Sequence, residues 1–322
     1  MSVTRESIQQ QALALGFHRV GIAQVPPLTN ATDLPEAEQQ VKARLQSWLG
    51  QGYQADMDWM TNAKRQNIRE VMPEVRSLIC VAINYYTPHT RPEGPQYAKI
   101  ARYGWGRDYH RILHKRLKAL ATWLQEQETT IQVRYYADTG PVQDKFWAQQ
   151  AGLGWIAKNG NLITRDYGSW VFLGEVLTNL SLEADKPHTA HCGTCTRCLE
   201  ACPTQAIRQP GVVDANRCIA YHTIENRADH IPEPIAQKLN GWVAGCDICQ
   251  DVCPWNLRFA QETDVEAFQP YPWNIAPTLT ELSQLSEEAW DQRFPASALR
   301  RIKAPMWRRN AQAAQSHQSP PR

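Results

Sequence analysis

Cys192-Gly193-Thr194-Cys195-Thr196-Arg197-Cys198-Leu199-Glu200-Ala201-Cys202-Pro203 spaces four cysteines as C-x2-C-x2-C-x3-C and closes on proline. This run is the bacterial ferredoxin signature, in which three thiolates hold one [4Fe–4S] cube and the fourth crosses to a second. Short spacings let one loop wrap three corners of a cube, and the proline helps start the helix that follows. A partial second copy comes at Cys246, Cys249 and Cys253 with Pro254, and Cys218 upstream can supply its missing thiolate. The crossed assignment puts Cys192, Cys195, Cys198 and Cys253 on one cluster and Cys202, Cys218, Cys246 and Cys249 on the other. The alternative is two four-thiolate zinc sites, but those usually arise from two well-separated pairs.

Working outward, the chain has 322 residues, 43% of them apolar, enough for a large core or two domains. Of nine cysteines only Cys80 lies outside this segment, in an apolar run that suits a small core residue. Such crowding reads as metal ligation in a reducing compartment and not as a disulfide framework. The formal charge of +2 gives no whole-molecule field for a polyanion, so any basic surface must be local. No apolar run reaches the roughly 18 residues of a membrane span, and Met1 to Glu6 opens a polar helix, not an export signal. A cytoplasmic chain, without membrane contact and monomeric, is expected.

Before the cysteines, helical and strand patterns alternate. Glu6–Leu15 reads as helix, Arg19–Ala23 as strand, and Val41, Leu45, Trp48 and Leu49 as a second helical face. Leu78–Ile83 is an unbroken apolar run, the mark of a strand covered on both faces. Asp108 caps an amphipathic helix carrying Tyr109, Ile112, Leu113, Leu117, Leu120 and Leu124 on one side. Ile131, Val133 and Tyr135 alternate into the turn Ala137–Pro141, and Trp170–Leu177 is a further strand. The pattern predicts an α/β layer domain over 1–183, a cluster domain over 184–262 and a helical segment over 263–322.

A two-cluster module moves single electrons, so the first domain should hold an acceptor. No G-x-G-x-x-G phosphate loop occurs. Asp108-Tyr109-His110-Arg111-Ile112-Leu113 approaches the D-x-H-x-x-G motif that gives a histidine to corrin cobalt, with Leu113 in place of the glycine. Spacing alone stops at a redox enzyme with an unidentified centre.

Six stretches go further: Met57–Met60, Ala101–His110, Tyr136–Pro141, Ala151–Asn159, Phe172–Glu175 and Gly245–Asn256. Together, over about residues 7 to 312, they resemble the epoxyqueuosine reductase family. The resemblance implies a nitroreductase-like α+β domain of the kind reductive dehalogenases share, holding base-off cobalamin against a two-cluster ferredoxin domain. It implies two-electron reduction of the epoxide of epoxyqueuosine at the wobble position of tRNA, fed by an external low-potential donor. Many members continue into a helical-repeat domain; this sequence stops soon after Trp307–Asn310, within the span of its first helix.

Opening the epoxide and removing its oxygen as water takes two electrons and two protons, so an acid must stand beside that oxygen. The resemblance gives that role to Asp138, whose aromatic surroundings (Tyr135, Tyr136, Phe146, Trp147) are expected to raise its pKa. Otherwise Asp138 reads as a turn cap. By the same resemblance Lys158, Asn159, Asn161, Leu162, Leu173, Ala220, Cys246 and Asp247 lie at the corrin, with Met60 and Arg102 as weaker candidates. For RNA, Arg107, Arg111, Lys115 and Lys118 lie on the polar side of the Asp108-capped helix. Arg300, Arg301, Lys303, Arg308 and Arg309 surround Trp307 with no acid nearby in sequence, and Arg227 is a further contact by similarity. A plain electron-transfer protein and a reductive dehalogenase are the competing readings.

Overall fold

The computed structural model describes residues 3–28, 30 and 33–317. The apolar run forms strand β2 (Ser77–Asn84), buried along its whole length. Strand β1 (Arg19–Gln24) pairs with it antiparallel, Arg19 opposite Ala82. Strand β3 is Val133–Tyr136, and β4 is Val171–Thr178. The sheet order is β1-β2-β4-β3, every pair antiparallel, with Tyr136 opposite Glu175 at the far edge. The layers are therefore those of an α+β domain.

Helix α1 (Arg5–Ala14) and α3 (Tyr109–Gln127) cover one face of the sheet. Leu113, Leu117, Leu120 and Leu124 of α3 are fully buried there with Ile79, Val81 and Val176, each such side chain worth roughly 1.5–3 kcal/mol. Gly174 makes this packing possible, because a Cβ at that position would come within 2.9 Å of Leu117 Cδ1. Helix α2 (Glu36–Gly50) and helix α4 (Asp144–Gln150) are also present. On the other face Phe146, Trp147 and Ala148 of α4 pack on Leu78, Cys80, Ala82 and Leu177. Cys80 is a fully buried core residue.

The cysteine segment has short helices, and Cys253 packs with Trp155, Ala157 and Ile163 of the first domain. A third core joins Ala98–Trp105, Leu239–Ala244 and the C-terminal residues Leu279–Ala314. Strand Trp242–Ala244 runs parallel to Lys99–Ile100 within it. The last helix, Ala304–Ser316, buries Trp307 stacked on Phe294 at 5.0 Å.

Candidate functional site

The eight cysteines divide between two cavities. Cys192, Cys195, Cys198 and Cys253 line one cavity of about 120 Å³. Cys202, Cys218, Cys246 and Cys249 line a second, of about 360 Å³. Lys158 borders the first cavity and donates from Nζ to the carbonyl oxygens of Gly193 (2.7 Å) and Cys195 (2.9 Å). Asn159 borders both cavities and donates to the Cys249 carbonyl oxygen at 3.2 Å. Burial pushes up the thiols of Cys218, Cys246 and Cys249. Bound iron supplies the positive charge that keeps a thiolate in such a place.

The second cavity is about three times the volume of the first. Its surplus is walled by Tyr103, Lys145, Asn161, Ala220, Ile224 and Asp247. Gly245 (φ +72°) turns the chain here; a Cβ on it would meet Ala101 Cβ at 2.6 Å, so the cysteine loop approaches the Ala101–Tyr103 backbone closely. Asn159, Asn161, Ala220, Cys246 and Asp247 line this cavity, and Lys158 belongs to the first.

Four expected cavity residues do not line it. Arg102 is a strut: its Nη1 donates to the carbonyl oxygens of Thr87 (3.0 Å) and His89 (2.9 Å), and its guanidinium lies 4.6 Å over Trp105. Asp247 accepts the Arg102 backbone N–H at 2.8 Å and pairs with Arg91. Leu162 is buried in a two-residue strand, Leu173 packs on the α4-side core, and Met60 sits half-buried in the turn Asp58–Thr61.

Asp138 stands just beyond β3 in the left-handed region (φ +61°), with its side chain 61% exposed. Its Oδ2 accepts from Tyr109 Oη at 2.8 Å and lies 3.1 Å from His110 Nε2. His110 Nδ1 lies 2.8 Å from Asp108 Oδ1, so the imidazole is held between two carboxylates. The hydrogen bond from His110, then that from Tyr109, hold the Asp138 carboxyl below the usual carboxylate range against the opposing effect of burial. This corrects the expected raised pKa, because Phe146 and Trp147 are buried in the α4 core and the groups that bond the carboxyl are donors. Burial opposes charge on His110, yet its bonds to Asp108 and Asp138 push it up to about 9.

Tyr109 stacks on Phe172 (4.0 Å, 6°) and on the His110 ring (4.0 Å), which fixes both donors. Tyr103 contacts Tyr109 edge-on at 6.4 Å and lines the second cavity, so it links Asp138 to that cavity. Sequence reading missed Tyr103 and Lys145 as cavity walls and Tyr109 and His110 as partners of Asp138. The signal was present in Tyr103–His110, where His110 is set against a cobalt-ligand motif only.

The basic residues divide differently from expectation. Arg309 is buried, donating to the carbonyl oxygens of Asn226 (2.9 Å), His222 (2.8 Å) and Ala228, so it is a structural clamp and not an RNA contact. Three of the others do have acids nearby in space: Arg300 pairs with Asp291 (2.7 Å), Arg301 with Glu225 (2.6 and 2.5 Å) and Arg308 with Glu287 (3.7 Å), while Lys303 lies 5.1 Å over the Trp290 ring. Arg227 is exposed and donates to the Arg301 carbonyl oxygen. Arg107, just before α3, and Arg111, Lys115 and Lys118 along it are exposed and enter no ion pair among the described residues.

Two interleaved thiol quartets beside an antiparallel α+β domain define a two-cluster iron–sulfur oxidoreductase. The family described as "Epoxyqueuosine reductase QueG, DUF1730" matches residues 65–139, and "4Fe-4S double cluster binding domain" matches 191–256. An epoxyqueuosine reductase of Synechocystis sp. is 63% identical over 91% of this chain and 99% of its own length. An epoxyqueuosine reductase solved with an epoxyqueuosine-modified tRNA stem loop superposes at TM-score 0.84, with 28% identity over 97% of this chain and 81% of that one. The Bacillus subtilis enzyme, solved with its catalytic aspartate loop swung out of the active site, gives TM-score 0.84 and 27% identity over the same shares. The chain belongs to the epoxyqueuosine reductase family and is an oxidoreductase carrying two [4Fe–4S] clusters. No helix among the described residues is long and apolar enough to cross a membrane.

Proposed function

We propose that this enzyme reduces the epoxide of epoxyqueuosine in the anticodon loop of tRNA to give queuosine, the last step of that modification. One observation carries the reading: the Cys202, Cys218, Cys246, Cys249 cavity opens past its thiols to Tyr103, which contacts the Tyr109 that bonds Asp138. Electrons from an external low-potential donor enter at the clusters, and the monomeric enzyme works in the cytoplasm.

Base-off cobalamin would be held where the second cavity opens past its thiols, with Tyr103, Lys145, Asn161, Ala220 and Ile224 beside it and the cysteine loop beneath. When bound, reduced cobalamin supplies the strong reductant that an unactivated epoxide requires. The chain's own work is proton placement. Asp138, exposed at the tip of its turn, delivers a proton to the departing oxygen, and Tyr109 Oη orients the carboxylate. The unpaired ridge Arg107, Arg111, Lys115 and Lys118 grips phosphates, since it starts beside the residues that hold Asp138. A splayed base from a single-stranded loop then reaches the carboxyl.

Anaerobic reconstitution with iron, sulfide and cobalamin, followed by nucleoside analysis of tRNA from cells blocked at the final queuosine step, tests this. Conversion of epoxyqueuosine to queuosine is expected; stoichiometric cobalamin without conversion overturns the substrate assignment.

A further inference from the structure

We propose that His110 is the proton store for the Asp138 carboxylate and that Asp108 is the residue that keeps it loaded. This rests on the reading of Asp138 as the group that delivers a proton to the epoxide oxygen.

An ionised carboxylate has no proton to deliver, and three facts hold Asp138 in that form: two donors on one oxygen, and majority exposure of the side chain. The nearest proton that can move lies on His110 Nε2, 3.1 Å from Oδ2. Tyr109 is a poor alternative source, because burial and the neighbouring carboxylates push its phenol well above its ordinary value. The imidazole cannot turn away: Nδ1 is fixed on Asp108 at 2.8 Å and the ring face is stacked on Tyr109.

Asp108 has two tasks at once. Its Oδ1 caps α3 by accepting the His110 backbone N–H at 3.0 Å, and the same oxygen takes the ring Nδ1. A histidine flanked by two carboxylates carries charge at neutral pH, and its hold on the proton weakens when either partner is neutralised. The charged and titratable groups around it are Asp108, Tyr109 and Arg111 from the helix and Asp138 from the turn. Behind Asp138 stands Arg301 from the C-terminal segment, and Tyr103 touches Tyr109.

The balance is simple. Reduction removes one oxygen as water, with two electrons from the external one-electron donor by way of the clusters and two protons. The first C–O bond breaks with its pair on oxygen, and that oxygen takes a proton that has passed from His110 Nε2 to the Asp138 carboxylate and on, leaving a hydroxyl. The two electrons let a C=C bond form as the second C–O bond breaks, and the departing hydroxyl takes a second proton by the same route once His110 is reloaded, leaving as water. Neutral His110 is recharged by solvent. His110 is thus a positioning residue that acts through Asp138.

The test uses the full cluster-loaded chain. Carbon–proton NMR of the histidine Cε1 positions follows titration without cobalamin, and His110→Gln identifies the His110 signal by its loss. The wild-type signal should titrate near pH 9, and Asp108→Asn and Asp138→Asn should each lower its midpoint by about one unit or more. Asparagine caps a helix as well as aspartate does, so Asp108→Asn retains the start of α3. In turnover of epoxyqueuosine tRNA, the alkaline limb of kcat should move down in pH in Asp108→Asn by the same amount. A wild-type midpoint near the ordinary histidine value, or an alkaline limb that Asp108→Asn leaves in place, overturns the proposal. Near-normal turnover in Asp138→Asn instead overturns the assignment of Asp138 itself, whatever the histidine signal does.

Discussion

Lys158 Nζ reaches across from the first domain to the Cys195 carbonyl oxygen at 2.9 Å, inside the loop that carries three thiols of one quartet. The same ammonium binds the Gly193 carbonyl oxygen, so one side chain fixes the loop at two points. Lys158→Met retains the stem and removes both bonds, each worth about 1.5–3 kcal/mol for a charged donor. Iron bound per chain should fall in the variant, and what remains should be lost to a chelator severalfold faster than from wild type. Identical loss curves would refute the role.

Asp138→Asn retains shape and removes the group that can relay a proton. Turnover of epoxyqueuosine tRNA should drop by about 10²–10⁴-fold, while iron content and cobalamin binding stay at wild-type levels. Near-normal turnover would refute the assignment.

The two sets of basic residues should respond differently. Arg309→Ala leaves the carbonyls of His222, Asn226 and Ala228 without their donor. It should cost about 2–4 kcal/mol in urea unfolding. The triple variant Arg111→Ala, Lys115→Ala, Lys118→Ala should leave stability within about 0.5 kcal/mol. It should also flatten the salt dependence of tRNA binding by roughly 0.7–0.9 per lost phosphate contact. An unchanged slope would exclude the α3 ridge.

Glu175, fully buried in β4, has no hydrogen-bond partner for either carboxyl oxygen among the described residues, and Asp144 Oδ1 shares that condition. Burial raises both acids, Asp144 to about 6 and Glu175 well above its ordinary value. Acids with raised folded-state values hold more protons folded than unfolded, so this pair costs stability as pH climbs from the ordinary carboxyl range of about 4 until the folded-state values are passed, about 6 for Asp144 and higher for Glu175. Glu175→Gln offers Asp144 an amide donor and removes a titrating group. Its melting temperature should exceed wild type at pH 8 and by a smaller margin at pH 5; equal gains at both would refute the linkage.

Much of this was legible before any coordinates. Leu78–Ile83, the Asp108 cap and the pairing of Cys253 with the first three thiols follow from periodicity and spacing, because backbone geometry enforces them. What the chain alone did not reveal concerns which partner a polar side chain meets. Arg309 shares helix Ala304–Ser316 with buried Trp307, Asn310, Ala311 and Ala314. Its burial depends on three carbonyls more than 80 residues away, which no local pattern encodes. The state of Asp138 is similar. Nearby aromatics suggest an acid kept neutral, whereas donors from the start of α3, 28 and 29 residues upstream, make it an anion.

Each thiol quartet borrows one member from the far half of the segment: Cys253 joins the early trio, and Cys202 joins the late one. The two inorganic cubes are thereby stitched through each other like a lacing drawn from both ends. Corrosion of either by oxygen would slacken the strand that seats its neighbour. Metal loading should accordingly be all or nothing, with half-filled molecules a fleeting species during maturation.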